Sequence, residues 1–349
     1  MTDAESCPTP PVDAFLTGMV FMDMIFSGLP SSPTPGTELW TEGLGSAPGG
    51  MANMAVAMSR LGLHVSLAAP FGGDWFGDFL WETLADQEEI DLSRSRQFDD
   101  WPTPVTVSLS HGGDRSMITY ERPMPEPLET LALNPPQSRS CFVEVGTSAP
   151  GWLRQMKRDG ALVFGDTAWD PTGTWSPAVL DSLVDVDVFL PNATEAMAYT
   201  RTTSPEAAVE RLMDFVQTAV VKTGADGVLA ADRSTGTILF EPAIQVDAVD
   251  ATGAGDVFAG AFVFATLTGW SLADRLRFAN LCAGLSVRNV SGSFGSPCWH
   301  EIGEWSMTQG PEVLDRYEFL AGLLPAEKIA DRHRARPTLG LGGLHRRLT

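Results

Sequence analysis

The stretch Asp250-Ala251-Thr252-Gly253-Ala254-Gly255-Asp256 runs straight into Val257 to Ala273, 17 residues without a charge. Small residues at 253 to 255 let a ligand approach the backbone closely. A helix that starts there directs unpaired N–H groups and the positive end of its dipole outward. Such a turn suits phosphate oxygens, and Asp256 at its edge can take a proton from an attacking hydroxyl. An acid that merely caps a helix after two turning glycines gives the same pattern, so this stretch alone leaves the two readings level.

Around it, short apolar runs alternate with segments of helical spacing. Strand candidates are Phe15 to Phe21, Val65 to Ala69, Cys141 to Val145, Ala161 to Phe164, Val186 to Leu190, Ala219 to Val221 and Gly227 to Ala231. Asn53 to Leu61, Trp75 to Ala85, Pro205 to Val216 and Ala254 to Thr268 have the length and spacing of helices. Nearly continuous apolar strands between helices predict an α/β fold with a mostly parallel sheet covered on both faces. Two segments depart from this. Gly36 to Ser46 is short and turn-rich, and Thr103 to Ser110 and Ser116 to Tyr120 flank His111-Gly112-Gly113-Asp114, a hairpin signal. A hairpin inserted in a parallel sheet projects from it, as a lid beside the carboxyl ends of the strands or as a plain surface excursion.

The 349 residues hold 44 acids against 23 bases, a net charge of −21, which disfavours a broad basic face for nucleic acid or anionic membrane. Glu327 to Arg347 runs against this with six bases and two acids, and reads as a flexible basic tail, 326–349, after a domain covering 12–325. The segment Val257 to Ala273 contains Gly260 and Gly269 and suits a buried helix better than a membrane span. An acidic, proline-containing start does not resemble an export signal. Cys7, Cys141, Cys282 and Cys298 are far apart with no C-x-x-C pair, so a reducing, cytoplasmic setting is expected and a zinc site is not. The sequence has no G-x-x-x-x-G-K-[ST], H-E-x-x-H or G-x-S-x-G motif, and residues 253 to 260 do not spell G-x-G-x-x-G.

Asp250, Gly253, Ala254, Gly255, Asp256, Phe258 and Gly260 match the pattern D-T-x-G-A-G-D-x-F-x-G, in which the sequence resembles the ribokinase-like (PfkB) carbohydrate and nucleoside kinases. Gly49-Gly50-Met51-Ala52-Asn53-Met54-Ala55-Val56-Ala57, then Leu61-Gly62 and Gly73-Asp74-Trp75-Phe76-Gly77, resemble that family's N-terminal signature. The two matches lie in the family's order, and the resemblance spans Asp13 to Leu324. It implies a ribokinase-like fold, a central mostly parallel sheet flanked by helices, with a small β-strand lid from about 34–48 and 101–121. Two departures stand out. Ala251 replaces the usual Thr, Ser, Val or Pro, and the Gly-Gly pair lies one residue closer to Asn53 than in the commonest form, with Met51 where a small residue is usual.

The resemblance makes Asp256 the general base and the amides of Gly253, Ala254 and Gly255 the anion hole for a transferring phosphoryl group. Asn192 and Glu195 match the family's N-x-x-E, with Glu195 reaching Mg²⁺ through water; a helix cap with a first-turn acid is the competing reading. Lys222 ends an apolar strand, Gly224 and Gly227 match a G-x-x-G turn beside the nucleotide, and Asn280 matches the residue that borders adenine. Asp23, Gly49, Gly50 and Asn53 would line the sugar pocket, where an ionised carboxylate accepts from hydroxyls. Asp166 and Asp170 follow another strand and either face the cleft or are ordinary loop acids, the second reading being favoured in so acidic a chain. The implied cofactors are ATP and Mg²⁺, with K⁺ near Asp250 in those members that bind a monovalent ion. The expected activity is ATP-dependent phosphorylation of a hydroxyl of a small unphosphorylated sugar, because Met51 and Met54 stand where a second phosphate would need cations; Arg115 or Arg122 on the lid would reverse that preference. An adenosine-type nucleoside kinase and a non-catalytic sugar-binding or regulatory protein on the same fold are the alternatives. Lid strands that pair edge to edge would give a homodimer.

Overall fold

The computed structural model describes residues 12–111, 114–288, 292–324 and 335. In chain order the first eight strands are β1 (Val12–Thr17), β2 (Val20–Ser27), β3 (Gly43–Gly50), β4 (Val65–Ala68), β5 (Pro70–Gly72), β6 (Arg96–Phe98), β7 (Val105–His111) and β8 (Asp114–Tyr120). Then follow β9 (Ser138–Glu144), β10 (Leu162–Asp166), β11 (Val188–Phe189), β12 (Thr218–Lys222), β13 (Gly227–Asp232) and β14 (Thr237–Pro242). The large sheet has the order β14-β13-β12-β11-β10-β9-β1-β4, and β3-β2-β7-β8 form a separate lid sheet. From β12 to β4 every pairing is parallel; β13 and β14 add an antiparallel edge. The helices used below are α1 (Met51–Arg60), α2 (Trp75–Glu82), α3 (Gly151–Arg158), α4 (Ala178–Asp181), α5 (Ala193–Thr200), α6 (Pro205–Leu212), α7 (Ala254–Leu267) and α8 (Leu272–Ser286).

The sheet is covered on both faces because its strands are apolar on both. Val220 joins Phe164, Val188 and the helices α1, α7 and α8 in one core. Its neighbours Ala219 and Val221 point the other way, to a second core with Phe189, α3 and α6. Alternate side chains of one strand thus feed two cores, the pattern of a sheet between helix layers. The apolar segment after Asp256 divides into α7 and α8 at Gly269, whose φ of +79° only glycine adopts readily. Among the described residues no helix is long and apolar enough to cross a membrane.

Three expectations are corrected here. Phe15 to Phe21 is not one strand: the chain leaves the large sheet after Thr17 and enters the lid at Val20. Gly18 makes the passage possible, since a Cβ there would lie 2.7 Å from Met51 Cε. The lid is also larger than 34–48 and 101–121, because β2 is its central strand, paired antiparallel with β3 and parallel with β7. Residues 34–42 supply no strand; the first lid segment is Gly43–Gly50. The hairpin of β7 and β8 is present from Val105 to Tyr120, while Gly112 and Gly113 lie outside the described residues.

Of the expected tail, 326–349, only Ala335 is described. It is buried beside Ala47 and Phe294, so at this point the segment is packed rather than free. Its carbonyl accepts from Arg60 Nη2 at 3.2 Å. Arg60 and Glu88 form a buried ion pair, bonded through Nε at 3.0 Å and Nη2 at 2.7 Å. Nη1 donates to the carbonyls of Phe294 and Ser296, so all five guanidinium hydrogens have an acceptor.

Candidate active site

The turn before α7 places the central acid. Gly253 is the N-cap of α7 at φ +76°, and no side chain caps the helix. Ala254 N donates to the Ala251 carbonyl at 3.2 Å and Asp256 N to the Gly253 carbonyl at 3.0 Å, so the backbone itself tightens the start of the helix. Asp256 sits in the first turn, half-buried, and its Oδ2 accepts from Asn53 Nδ2 at 2.8 Å. Asn53 belongs to α1, and a Cβ on Gly253 would lie 3.2 Å from its Cγ, so turn and amide are packed together. Below the turn, Asp250 accepts from Thr252 N at 3.1 Å and Thr252 Oγ1 at 2.8 Å.

The lid supplies the other wall. Asp23 lies on β2, not in a loop after a sheet strand, and is almost completely buried. Gly49 faces it from β3: a Cβ there would come within 2.1 Å of Asp23 Oδ2. Gly50, at φ +63°, ends the strand and begins α1, so Asn53 follows the glycine pair by one helical turn. Asp23, Gly49, Gly50, Asn53 and the 253–256 turn meet where lid and body join.

Charge in this cleft is mostly negative. Burial, and then the nearby Asp256 and Asp250, push the Asp23 carboxyl up to about 8, with Arg115 of β8 opposing them. Burial also raises Asp256, against the favourable effects of Lys222 and the Asn53 hydrogen bond. A raised carboxylate is a stronger proton acceptor, which suits a base.

The residues expected on the nucleotide side cluster at the carboxyl ends of β10, β11 and β12. Asn192 caps α5, accepting from Glu195 N at 3.0 Å, while Glu195 Oε2 accepts from Asn192 N at 3.0 Å. The capping reading is therefore correct as geometry, and it also fixes both polar groups at the cleft. Burial followed by the Asp166 charge raises Glu195 to about 7. Lys222 bridges to Asn192 across the sheet and donates to Asp166 Oδ2 at 2.5 Å. Asp166, which the sequence favours as an ordinary loop acid over a cleft residue, holds Lys222 at the cleft; its position straight after an apolar strand was the signal. Asp170 is different: it is half-buried and accepts from Thr172 N and Trp175 N, which shapes its own loop.

A cavity of about 480 Å³ opens beside these groups, lined in part by Asn192, Thr194, Lys222, Thr223, Gly224 and Phe240. Gly224 and Gly227 turn the chain at its rim with φ of +65° and +128°. A Cβ on Gly227 would lie 2.2 Å from the Glu241 carbonyl, so no side chain fits. Asn280 is buried, and its Nδ2 donates to the carbonyls of Glu241 at 3.0 Å and Pro242 at 3.1 Å. It holds the end of β14 in place against α8.

With this geometry in place, similarity to known proteins becomes informative. The profile of the pfkB family of carbohydrate kinases matches residues 41–298. The chain belongs to that family. It is 26% identical over 303 residues to ribokinase of Haemophilus influenzae, covering 82% of this chain and 96% of that one. It is 27% identical over 281 residues to fructokinase of Escherichia coli, covering 73% and 90%. Arabidopsis thaliana ribokinase complexed with ribose and ATP superposes with a TM-score of 0.67 at 22% identity, over 82% of this chain and 96% of that one. An Escherichia coli protein assigned as ribokinase II, solved with ATP and Mg²⁺, gives 0.71 at 19% identity, over 85% and 100%. The protein is a carbohydrate kinase, a phosphotransferase with an alcohol group as acceptor.

Proposed function

We propose that the protein transfers the γ-phosphoryl group of ATP to a hydroxyl of a small unphosphorylated sugar, with Asp256 as general base. The observation that carries this is the Asn53–Asp256 hydrogen bond, which aims a half-buried carboxylate at a cleft beside uncapped helix amides. The acceptor hydroxyl loses its proton to Asp256 as its oxygen bonds to the γ-phosphorus. The bond from that phosphorus to the ADP oxygen breaks, and the amides of Gly253, Ala254 and Gly255 stabilise charge on the phosphoryl oxygens. Asp23 and Asn53 orient the sugar, and the lid excludes water.

Glu195 and Asn192 fit a magnesium ion held mainly by phosphates and water. Bound there, Mg²⁺ would neutralise phosphate charge while Glu195 orients its water. A monovalent cation near Asp250 is supported by Asp250 Oδ2, which is buried without a hydrogen-bond partner. Turnover in potassium chloride should then exceed turnover in an equal concentration of sodium chloride.

An acceptor without a phosphate is supported by the three acids Asp23, Asp250 and Asp256 at this end of the cleft. Released ADP, measured with a panel of free sugars, nucleosides and fructose 6-phosphate, tests the proposal. Fastest turnover is expected on a free sugar; a clear preference for the phosphate ester would overturn the substrate class. The lid edge supports a homodimer. β8 is the outer strand, and Ile118 is 64% exposed on it beside Met117 and Tyr120. Sedimentation should report two copies, and Ile118→Lys should return one.

A further inference from the structure

We propose that Asp166 is a positioning residue that holds the Lys222 ammonium at the rim of the 253–255 turn and yields it to the transferring phosphoryl group when nucleotide fills the cavity. This rests on the kinase reading above and adds to it a mobile cation with a defined resting place. Lys222 is one of three lysines in the chain, and among the described residues no other lines the cavity. Its Nζ stands 3.6 Å from where a Cβ on Gly255 would be, against the uncapped start of α7. The same side chain lines the 480 Å³ cavity. It therefore borders both the space for the donor and the turn that receives the phosphoryl oxygens.

The bonding shows why the pair can open. An ammonium has three hydrogens, and among the described residues Asp166 Oδ2 is the hydrogen-bond acceptor for Lys222 Nζ. Asp166 does not depend on Lys222 alone, because its Oδ1 accepts from Thr167 N at 2.8 Å. A carboxylate that keeps one backbone donor can release its cation without being stranded. The ammonium sits on a flexible four-carbon stem, so a shift toward phosphate oxygens needs rotamer changes only. Thr223, the next residue, has a buried hydroxyl without a hydrogen-bond partner and lines the same cavity. Two polar groups in sequence are thus left with unused capacity where the donor would lie. Burial works against the charge on Lys222, but Asp166, Asp256 and Glu195 hold it protonated above its ordinary range. Asp166 therefore supplies a permanently charged cation, and its position decides whether that cation meets the reacting group.

Lys222→Met, Lys222→Arg, Asp166→Asn and the Lys222→Met/Asp166→Asn double variant test this in the full chain. Affinity for ADP and for ADP with aluminium fluoride, a phosphoryl-transfer mimic, is measured by calorimetry, and kcat and KM for ATP with the preferred sugar. Lys222→Met should lose about 10²-fold in kcat and a similar factor in affinity for the mimic, with ADP affinity within about threefold. Asp166→Asn should lose about tenfold alone and nothing further in the Lys222→Met background, since it acts through the lysine. Additive losses, or a mimic bound as tightly by Lys222→Met as by wild type, would overturn the proposal. Should wild type phosphorylate no sugar, the kinase reading fails on its own, and binding of the mimic still decides the role of Lys222.

Discussion

Two buried cation–carboxylate pairs, one at the end of α1 and one at the ends of β10 and β12, have opposite uses. Arg60 and Glu88 form a closed assembly, with every guanidinium hydrogen assigned and three backbone carbonyls tied to it. Lys222 and Asp166 share one hydrogen bond at the edge of a cavity. In the first, desolvation is offset by complete satisfaction, so the pair has nothing left to offer a ligand. In the second, incomplete satisfaction leaves donors available. Burial of a charge therefore marks function only when its partners leave capacity unused.

The largest effect expected is on the open side. Asp256→Asn should lower kcat by about 10²- to 10⁴-fold, the usual worth of a general base, while the unfolding midpoint changes little. Retained turnover would remove Asp256 from the mechanism and leave the open pair without a reaction to serve. On the closed side, Glu88→Ala should cost about 3–5 kcal/mol of unfolding free energy, read by urea titration, because Arg60 is stranded in the interior. Lys222→Met should cost about 1 kcal/mol by the same measurement, since that pair keeps some solvent contact. If both changes cost the same, the contrast between the pairs fails. Asn280→Ala should lie between them, about 1–3 kcal/mol, by releasing two buried carbonyls.

The smallest effect sharpens the electrostatics of the cleft. The Asp23 carboxyl moves from 3.8 in the ordinary state to about 8 in the fold, so the folded chain binds a proton that the unfolded chain has lost. Stability should fall as pH rises between those values and level off above about 8. Asp23→Asn should flatten that slope. Unfolding by urea at pH 5, 7 and 9 checks it, and a slope unchanged in the variant would place the proton elsewhere.

Much of this organisation is legible in the residues. Continuous apolar strands announce a doubly covered sheet, and the pairing of GAGD with a glycine-led helix announces the cleft. The lid was only partly legible, because β2 is as apolar as β1 and nothing in Phe15 to Phe21 except Gly18 signals a change of sheet. Asp166 was only half legible, for another reason. Its worth depends on Lys222, 56 positions later, and on strand order that brings the ends of β10 and β12 near each other. The two carbonyls that Asn280 holds were not legible, because helix position reveals a face but not which carbonyls end against it. Arg60 and Glu88 had no signal at all, as the carbonyls that complete the pair come from distant turns.

The short passages between sheet and lid set the rules for its movement. Only Gly18 and Met19 separate β1 from β2, and no residue separates β3 from α1. The flap is therefore stapled to the body, and any outward swing carries Asp23 with it and strains the helix that presents Asn53. Under the proposed mechanism, a nucleotide waiting without a sugar would then face a dismantled reaction centre, and chain connectivity itself would restrain wasteful hydrolysis.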